Sequence, residues 1–207
     1  MNDSMSENSP TDSYKSISKP STGIYKELGS KFFSFAYPVS SEEEIKNILA
    51  ELRKNYFDAR HHCYAYRLGV NGEIWRANDD GEPSSSSGKP ILGQLLSKEI
   101  SDVLVVVVRY FGGIKLGVPG LIRAYKAATI DAIDNTEIIE KIAVRLMKFS
   151  FDYMLMNNIM KLIREHNAII LEQQSDNLCI ITVSIRESNS KRFANAIAEA
   201  GGIILTC

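Results

Sequence analysis

Cysteine is scarce in this chain: three thiols, Cys63, Cys179 and Cys207, lie far apart and never in a Cys-x-x-Cys spacing. That argues against a disulfide framework and a zinc site and leaves buried or idle thiols as the reading. An excess of charge of one sign is also missing. With 24 basic and 25 acidic residues the formal net charge is -1, so bulk charge does not advertise a nucleic-acid binder, sequence-specific DNA binding is not expected, and any grip on phosphate has to be local. No apolar run is long enough to span a bilayer and the opening residues lack the apolar stretch of a signal peptide, so a cytoplasmic protein without membrane contact is expected. Gly-x-x-x-x-Gly-Lys-Ser/Thr does not occur, nor does Gly-x-Gly-x-x-Gly after a strand, which disfavours nucleotide hydrolysis. The acidic run Asp79-Asp80-Gly81-Glu82 could offer oxygens to Mg²⁺ but lacks the spacing of an EF-hand. No metal and no cofactor are expected.

A chain of 207 residues, 44% of them hydrophobic, has room for one medium or two small domains. Residues 1–22 are Ser-, Asn-, Asp- and Thr-rich without periodicity and read as a flexible tail. Lys31 to Val39 has the aromatic clustering of a strand. Ser41-x-x-Glu44 then forms a capping-box pattern before the apolar stripe Ile45, Ile48, Leu49 and Leu52 of a helix. Cys63 to Gly69 and Glu73 to Asn78 read as a hairpin closed by a tight Asn71-Gly72 turn. Asp79 to Pro90 is loop chemistry, with Pro90 opening a helix through Leu92, Leu95 and Leu96. Val103 to Val108 is apolar on both faces and is expected to be a central buried strand covered by helices. Gly112, Gly113, Gly117 and Gly120 punctuate a loop before a helix over Leu121 to Ile133, where the first domain (23–136) closes.

The pattern restarts in 141–207: strand, a helix carrying Ile159, Leu162 and Ile163, two strands, a helix over Phe193 and Ile197 capped by Ser188 or Ser190, and a last strand. That βαββαβ order predicts a ferredoxin-like domain, and the whole is expected to be a two-domain α+β or α/β protein.

Asp79-Asp80-Gly81-Glu82-Pro83, Gly88-Lys89-Pro90-Ile91-Leu92, Arg109 through Gly117 and Gly120 through Tyr125 resemble, in that order, the signature of the YigZ/IMPACT family. Asp58-Ala59-Arg60-His61-His62-Cys63-Tyr64-Ala65 resembles a further segment of it, with His61 the position that carries over. Three departures stand out: Arg60 for a usual Thr, Ser85-Ser86-Ser87 for Gly-Thr-Ala, and Val118-Pro119 for Thr-Gly. The resemblance implies a first domain like domain IV of elongation factor G and a second like that factor's domain V. It also implies a role tied to translation, through RNA or a ribosome-associated partner, as the eukaryotic relatives modulate translational control.

From Val103 to Ile130 the chain holds Arg109, Lys115, Arg123 and Lys126 and no acidic residue. Beside glycines and a helix start, Arg109, Gly112, Gly113, Lys115 and Arg123 make a candidate site for RNA phosphate or a small anion. The bland alternative is a tight strand-to-helix turn, with Arg109 and Arg123 paired to the loop carrying Asp79, Asp80, Glu82 and Lys89. An enzyme acting on a small anionic substrate where that loop meets the glycine turn, or a protein-interaction module, remain as rivals. His61 and His62 point to opposite faces of a strand. His61 reads as a polar anchor for the acidic loop, and no catalytic residue is assigned. Tyr64, Tyr66, Trp75, Tyr110 and Phe111 would stack on bases if exposed.

Overall fold

The computed structural model describes residues 12–175 and 178–206. The described chain divides into two compact units, Tyr14–Lys141 and a second formed by the residues on either side of it. In the first unit, β2 (Ser21–Glu27), β3 (Ser30–Pro38), β4 (His61–Leu68), β5 (Ile74–Asn78) and β6 (Val103–Tyr110) form one sheet in the order β2-β3-β6-β4-β5. Every pairing in it is antiparallel. The β-branched run of β6 is central, and its alternation sorts side chains to two cores. Val103, Val105 and Val107 face α2 (Gly88–Ser97) and α3 (Gly117–Asp134), whereas Leu104, Val106 and Val108 face α1 (Glu42–Asn55). Each such side chain taken fully out of water contributes roughly 1.5–3 kcal/mol, which is why a strand apolar on both faces is stable only between two helical layers.

The same period of two decides which polar residues share a face. Cys63 and Ala65 of β4 belong to the core with Val105 and Val107, so His61, two residues before Cys63, projects to the side of α2 and α3. His61 is directly opposite Arg109 across the β4–β6 pair. His62 and Tyr64 point the other way.

Helix α1 starts as its sequence pattern requires. Ser41 Oγ accepts the Glu44 N–H at 3.2 Å, while the Glu44 carboxylate reaches back to the Ser40 N–H at 2.8 Å. Four other elements differ from expectation. Residues expected to be tail up to Thr22 include β1 (Ser13–Ile17), paired with β7 (Ile138–Ile142), and the first residues of β2. A polar strand carries little apolar signal, and β1 is held by backbone pairing, by the fully buried Ile17, and by side-chain bonds from Tyr14 to Asp102 and from Lys15 to Glu99; residues 1–11 lie outside the described residues. The β4–β5 hairpin turns through the five residues Gly69 to Glu73, not through Asn71-Gly72 alone. Gly69 and Gly72 take the positive φ, and the turn is fastened by Asp102, which accepts the Gly69 N–H at 2.9 Å, and by Arg67, which donates to Asn71 O at 2.9 Å. Helix α3 begins at Gly117 rather than Leu121. Pro119 fits there because its missing N–H falls in the first turn, where amides have no intrahelical partner.

In the second unit β8 (Val144–Phe151), α4 (Met156–Glu165), β9 (Ile169–Ser175), β10 (Cys179–Arg186), α5 (Glu187–Glu199) and β11 (Ile203–Thr206) follow in chain order. Their sheet is ordered β11-β8-β10-β9 and is antiparallel throughout. The helices cover one face over Met147, Phe149, Phe151, Ile181, Val183, Phe193 and Ile197. Neither Ser188 nor Ser190 caps α5 with its side chain. Asp12 does that work from far away in sequence, accepting the Ser188 N–H at 2.8 Å. Among the described residues no helix is long and apolar enough to cross a membrane.

Candidate functional site

A pocket of about 740 Å³ opens in the first unit where the acidic loop meets the glycine turn. Its lining comes from the α1–β4 connection (Asp58 to His61), the loop (Glu82, Pro83), the end of β6 (Arg109 to Phe111) and the start of α3 (Lys115 to Val118, Leu121). That volume is ligand-sized.

Of the two alternatives the sequence left open for Arg109, an outward-facing cation or a partner of the acidic loop, the structure shows the second. Arg109 is only 7% exposed, and its Nη1 donates to Glu82 Oε1 at 2.7 Å, with Glu82 buried as well. Its guanidinium is 5.5 Å from the Phe32 ring centroid and 5.7 Å from that of Phe111. Glu82 Oε1 also accepts the Tyr125 hydroxyl at 2.8 Å, and the Cys63 thiol lies 3.2 Å from that hydroxyl. Burial raises the Tyr125 hydroxyl well above its ordinary range, with Cys63 and Glu82 adding to it. Arg109 therefore enters the pocket as half of a neutralised pair. Its Nε has no hydrogen-bond partner among the described residues.

Arg123 is exposed and pairs with Glu27 at 3.2 Å, not with the acidic loop, and it does not line the pocket. Lys115 is exposed, lines the pocket and has no carboxylate partner among the described residues. Arg60, marked by the sequence only as a departure from the family pattern, also lines it. Leu116, the residue before α3, supplies no side-chain cap. The amides of the first turn, Pro119 excepted, thus keep their partial positive charge at the edge of the pocket.

The glycines divide in role. Gly112 donates its N–H to Ser30 Oγ at 3.2 Å, and a Cβ on it would sit 1.9 Å from the Gly29 carbonyl carbon. It is there for close backbone approach. Gly113, at φ +90°, has open space around it.

The acidic loop is folded on its own carboxylates. Asp79 Oδ1 accepts the N–H of Ser87 at 3.0 Å and of Gly88 at 2.8 Å together with the Ser87 hydroxyl at 2.7 Å; its Oδ2 accepts the Ser85 N–H at 2.8 Å. Burial opposes its ionisation, but these bonds outweigh burial and hold the carboxyl below the ordinary aspartate value. Asp80 pairs with Arg53 at 2.9 Å and accepts the His62 N–H at 2.7 Å. His61 Nδ1 is 2.9 Å from Asp80 O, so that nitrogen carries the hydrogen and Nε2 remains as an acceptor. Lys89 is exposed in the first turn of α2 and does not reach the pocket. With Asp79, Asp80 and Glu82 bonded to separate partners, the loop presents no converging oxygens for a cation.

Burial lifts the Cys63 thiol to about 12, which removes it as a nucleophile at neutral pH. Alkylation at pH 8 followed by peptide mass mapping is expected to leave Cys63 unlabelled in the folded chain and label it in denaturant. Labelling at equal rates in both would contradict its burial. Cys179 is buried too, and Cys207 lies outside the described residues. Of the aromatics, Tyr64 and Tyr66 are core, Tyr110 donates to Asp58 at 2.6 Å, and Phe111 is 57% exposed at the pocket.

Residues 28–133, which carry this pocket, match the family model of the Impact N-terminal domain. The chain belongs to the IMPACT family. It is 36% identical over 171 residues to the IMPACT family member YvyE of Bacillus subtilis, a match covering 82% of this chain and 78% of that protein. With the IMPACT family member YigZ of Escherichia coli it shares 27% identity over 182 residues, covering 87% of this chain and 89% of the relative. A crystal structure of a hypothetical protein superposes with a TM-score of 0.71 at 26% identity, over 94% of this chain and 97% of that one. The likeness to IMPACT family members thus extends beyond the first unit.

Proposed function

We propose that this IMPACT family member is a cytosolic, translation-linked binding protein whose first unit grips RNA phosphate. In the same reading that unit is like domain IV of elongation factor G and the second is ferredoxin-like, as its β11-β8-β10-β9 order supports. The observation that carries the reading is Lys115, without a carboxylate partner among the described residues, beside the uncapped start of α3 in a pocket that Arg60 also lines. With Arg109 already matched by Glu82, the grip falls to these groups. A cation that neutralises a phosphate releases counterions, so Lys115→Ala is expected to weaken single-stranded RNA binding and reduce the slope of log K against log salt by about 0.7. Arg123→Ala, already paired and outside the pocket, is expected to change it less. Filter-binding titrations check this; no binding at low salt, or an unchanged slope in Lys115→Ala, rejects the reading. Pull-downs with and without nuclease separate it from a protein-interaction module, since only RNA-bridged partners are then lost.

The ligand-sized volume of the pocket favours one second reading, an enzyme acting on a small anionic substrate. His61 Nε2 would serve as proton acceptor there, and with Arg109 already neutralised by Glu82 the electrostatic anchor would be Lys115. An activity that survives His61→Gln unchanged would reject that version.

A further inference from the structure

An RNA backbone alone would use only a charged groove, yet this half-open pocket is also lined by Leu116, Val118, Leu121 and the largely exposed ring of Phe111. The lining is of two chemical kinds at once. Lys115, Arg60 and the α3 amides suit a phosphate, while Phe111, Leu116 and Val118 suit a flat apolar body. Phe111 lies under the Arg109 guanidinium on one side and remains 57% exposed, which leaves ring surface for stacking. His61 Nε2 adds an acceptor suited to a hydroxyl.

We infer that the pocket takes one whole nucleotide, its phosphate at Lys115 and the α3 N-terminus and its base against Phe111. This rests on the RNA reading for its biological source, since the nucleotide is either one unstacked residue of an RNA strand or a free mononucleotide. A base stacked on an aromatic side chain contributes enough that its removal weakens binding about tenfold or more.

The test uses the full chain and three probes: a hexaribonucleotide, the same hexamer with abasic riboses, and AMP. The inference expects the natural hexamer to bind about tenfold more tightly than the abasic one, AMP to compete for the same site, and Phe111→Leu to erase the difference. The probe comparison on the unaltered chain needs no variant, so a misfolded Phe111→Leu protein does not blunt it. Equal affinity for natural and abasic hexamers overturns the inference and leaves the RNA reading standing. Binding of AMP, lost in Phe111→Leu, with no binding of either hexamer supports the nucleotide pocket and overturns the RNA reading. Failure of all three probes to bind overturns both.

Discussion

Glu82→Ala is expected to lower the unfolding free energy by about 3–5 kcal/mol, because it strands the Arg109 guanidinium in the protein interior. Both side chains are buried and 2.7 Å apart, and the nearest alternatives for the guanidinium are the Phe32 and Phe111 rings. The same change removes the acceptor of the buried Tyr125 hydroxyl. Domains have only about 5–15 kcal/mol in hand, so the variant sits near the edge of folding, with a melting temperature lowered on the order of 10 °C. The companion experiment is the pair replaced together. Glu82→Gln with Arg109→Met leaves no buried charge, so it is expected to recover most of the loss, as swapping a whole buried ion pair for uncharged groups often costs little. Urea unfolding of the single and double variants checks both. A loss under about 1 kcal/mol in Glu82→Ala would mean that the pair is solvated, since that is what exposed pairs contribute.

Asp79→Ala is expected to cost roughly 2–3 kcal/mol, since it leaves the Ser87 and Gly88 amides without acceptors where α2 begins. Its pH signature separates it from other losses. Asp79 is held below its unfolded value of about 4. Its contribution is therefore fully present above about pH 4 and is lost as pH falls through the depressed folded value. His62 acts earlier. Burial lowers its pKa, only partly opposed by Asp80, so its contribution is complete above about pH 6.5 and declines as pH falls below that. Asp79→Asn is expected to flatten the limb of the stability curve below pH 4 and to keep the limb below pH 6.5. Denaturant midpoints measured from pH 3 to 8 test this, and an unchanged limb below pH 4 would contradict the role given to the Asp79 carboxylate.

What could be read from the residues alone divides along a physical line. Patterns whose cause is local were legible: the Ser41 cap, the two-faced apolar run of β6, the apolar stripe of α4. Features that depend on residues far apart were not. Ser13–Ile17 is polar and becomes a strand because β7 runs beside it, and α5 is capped by Asp12 through its bond to Ser188, 176 positions away. Composition marked Arg109 and Arg123 as equal cations, yet one faces the core and the other solvent. That difference is set by strand alternation in β6 and by helical position in α3, which a count of charges does not register. Lys115 is a candidate from the sequence alone, whereas Arg60 joins it as a pocket cation only once the α1–β4 connection and the α3 start share a cavity.

The β1–β7 ribbon has a further consequence for the construction of the chain. Ser18 N–H donates to Glu137 O at one end of it and Ala143 N–H to Asp12 O at the other, so the first unit's incoming and outgoing strands lie side by side. A body whose two ends meet in this way behaves as a cassette. It can be lifted out and rejoined head to tail through a short linker, with new termini cut at an exposed loop.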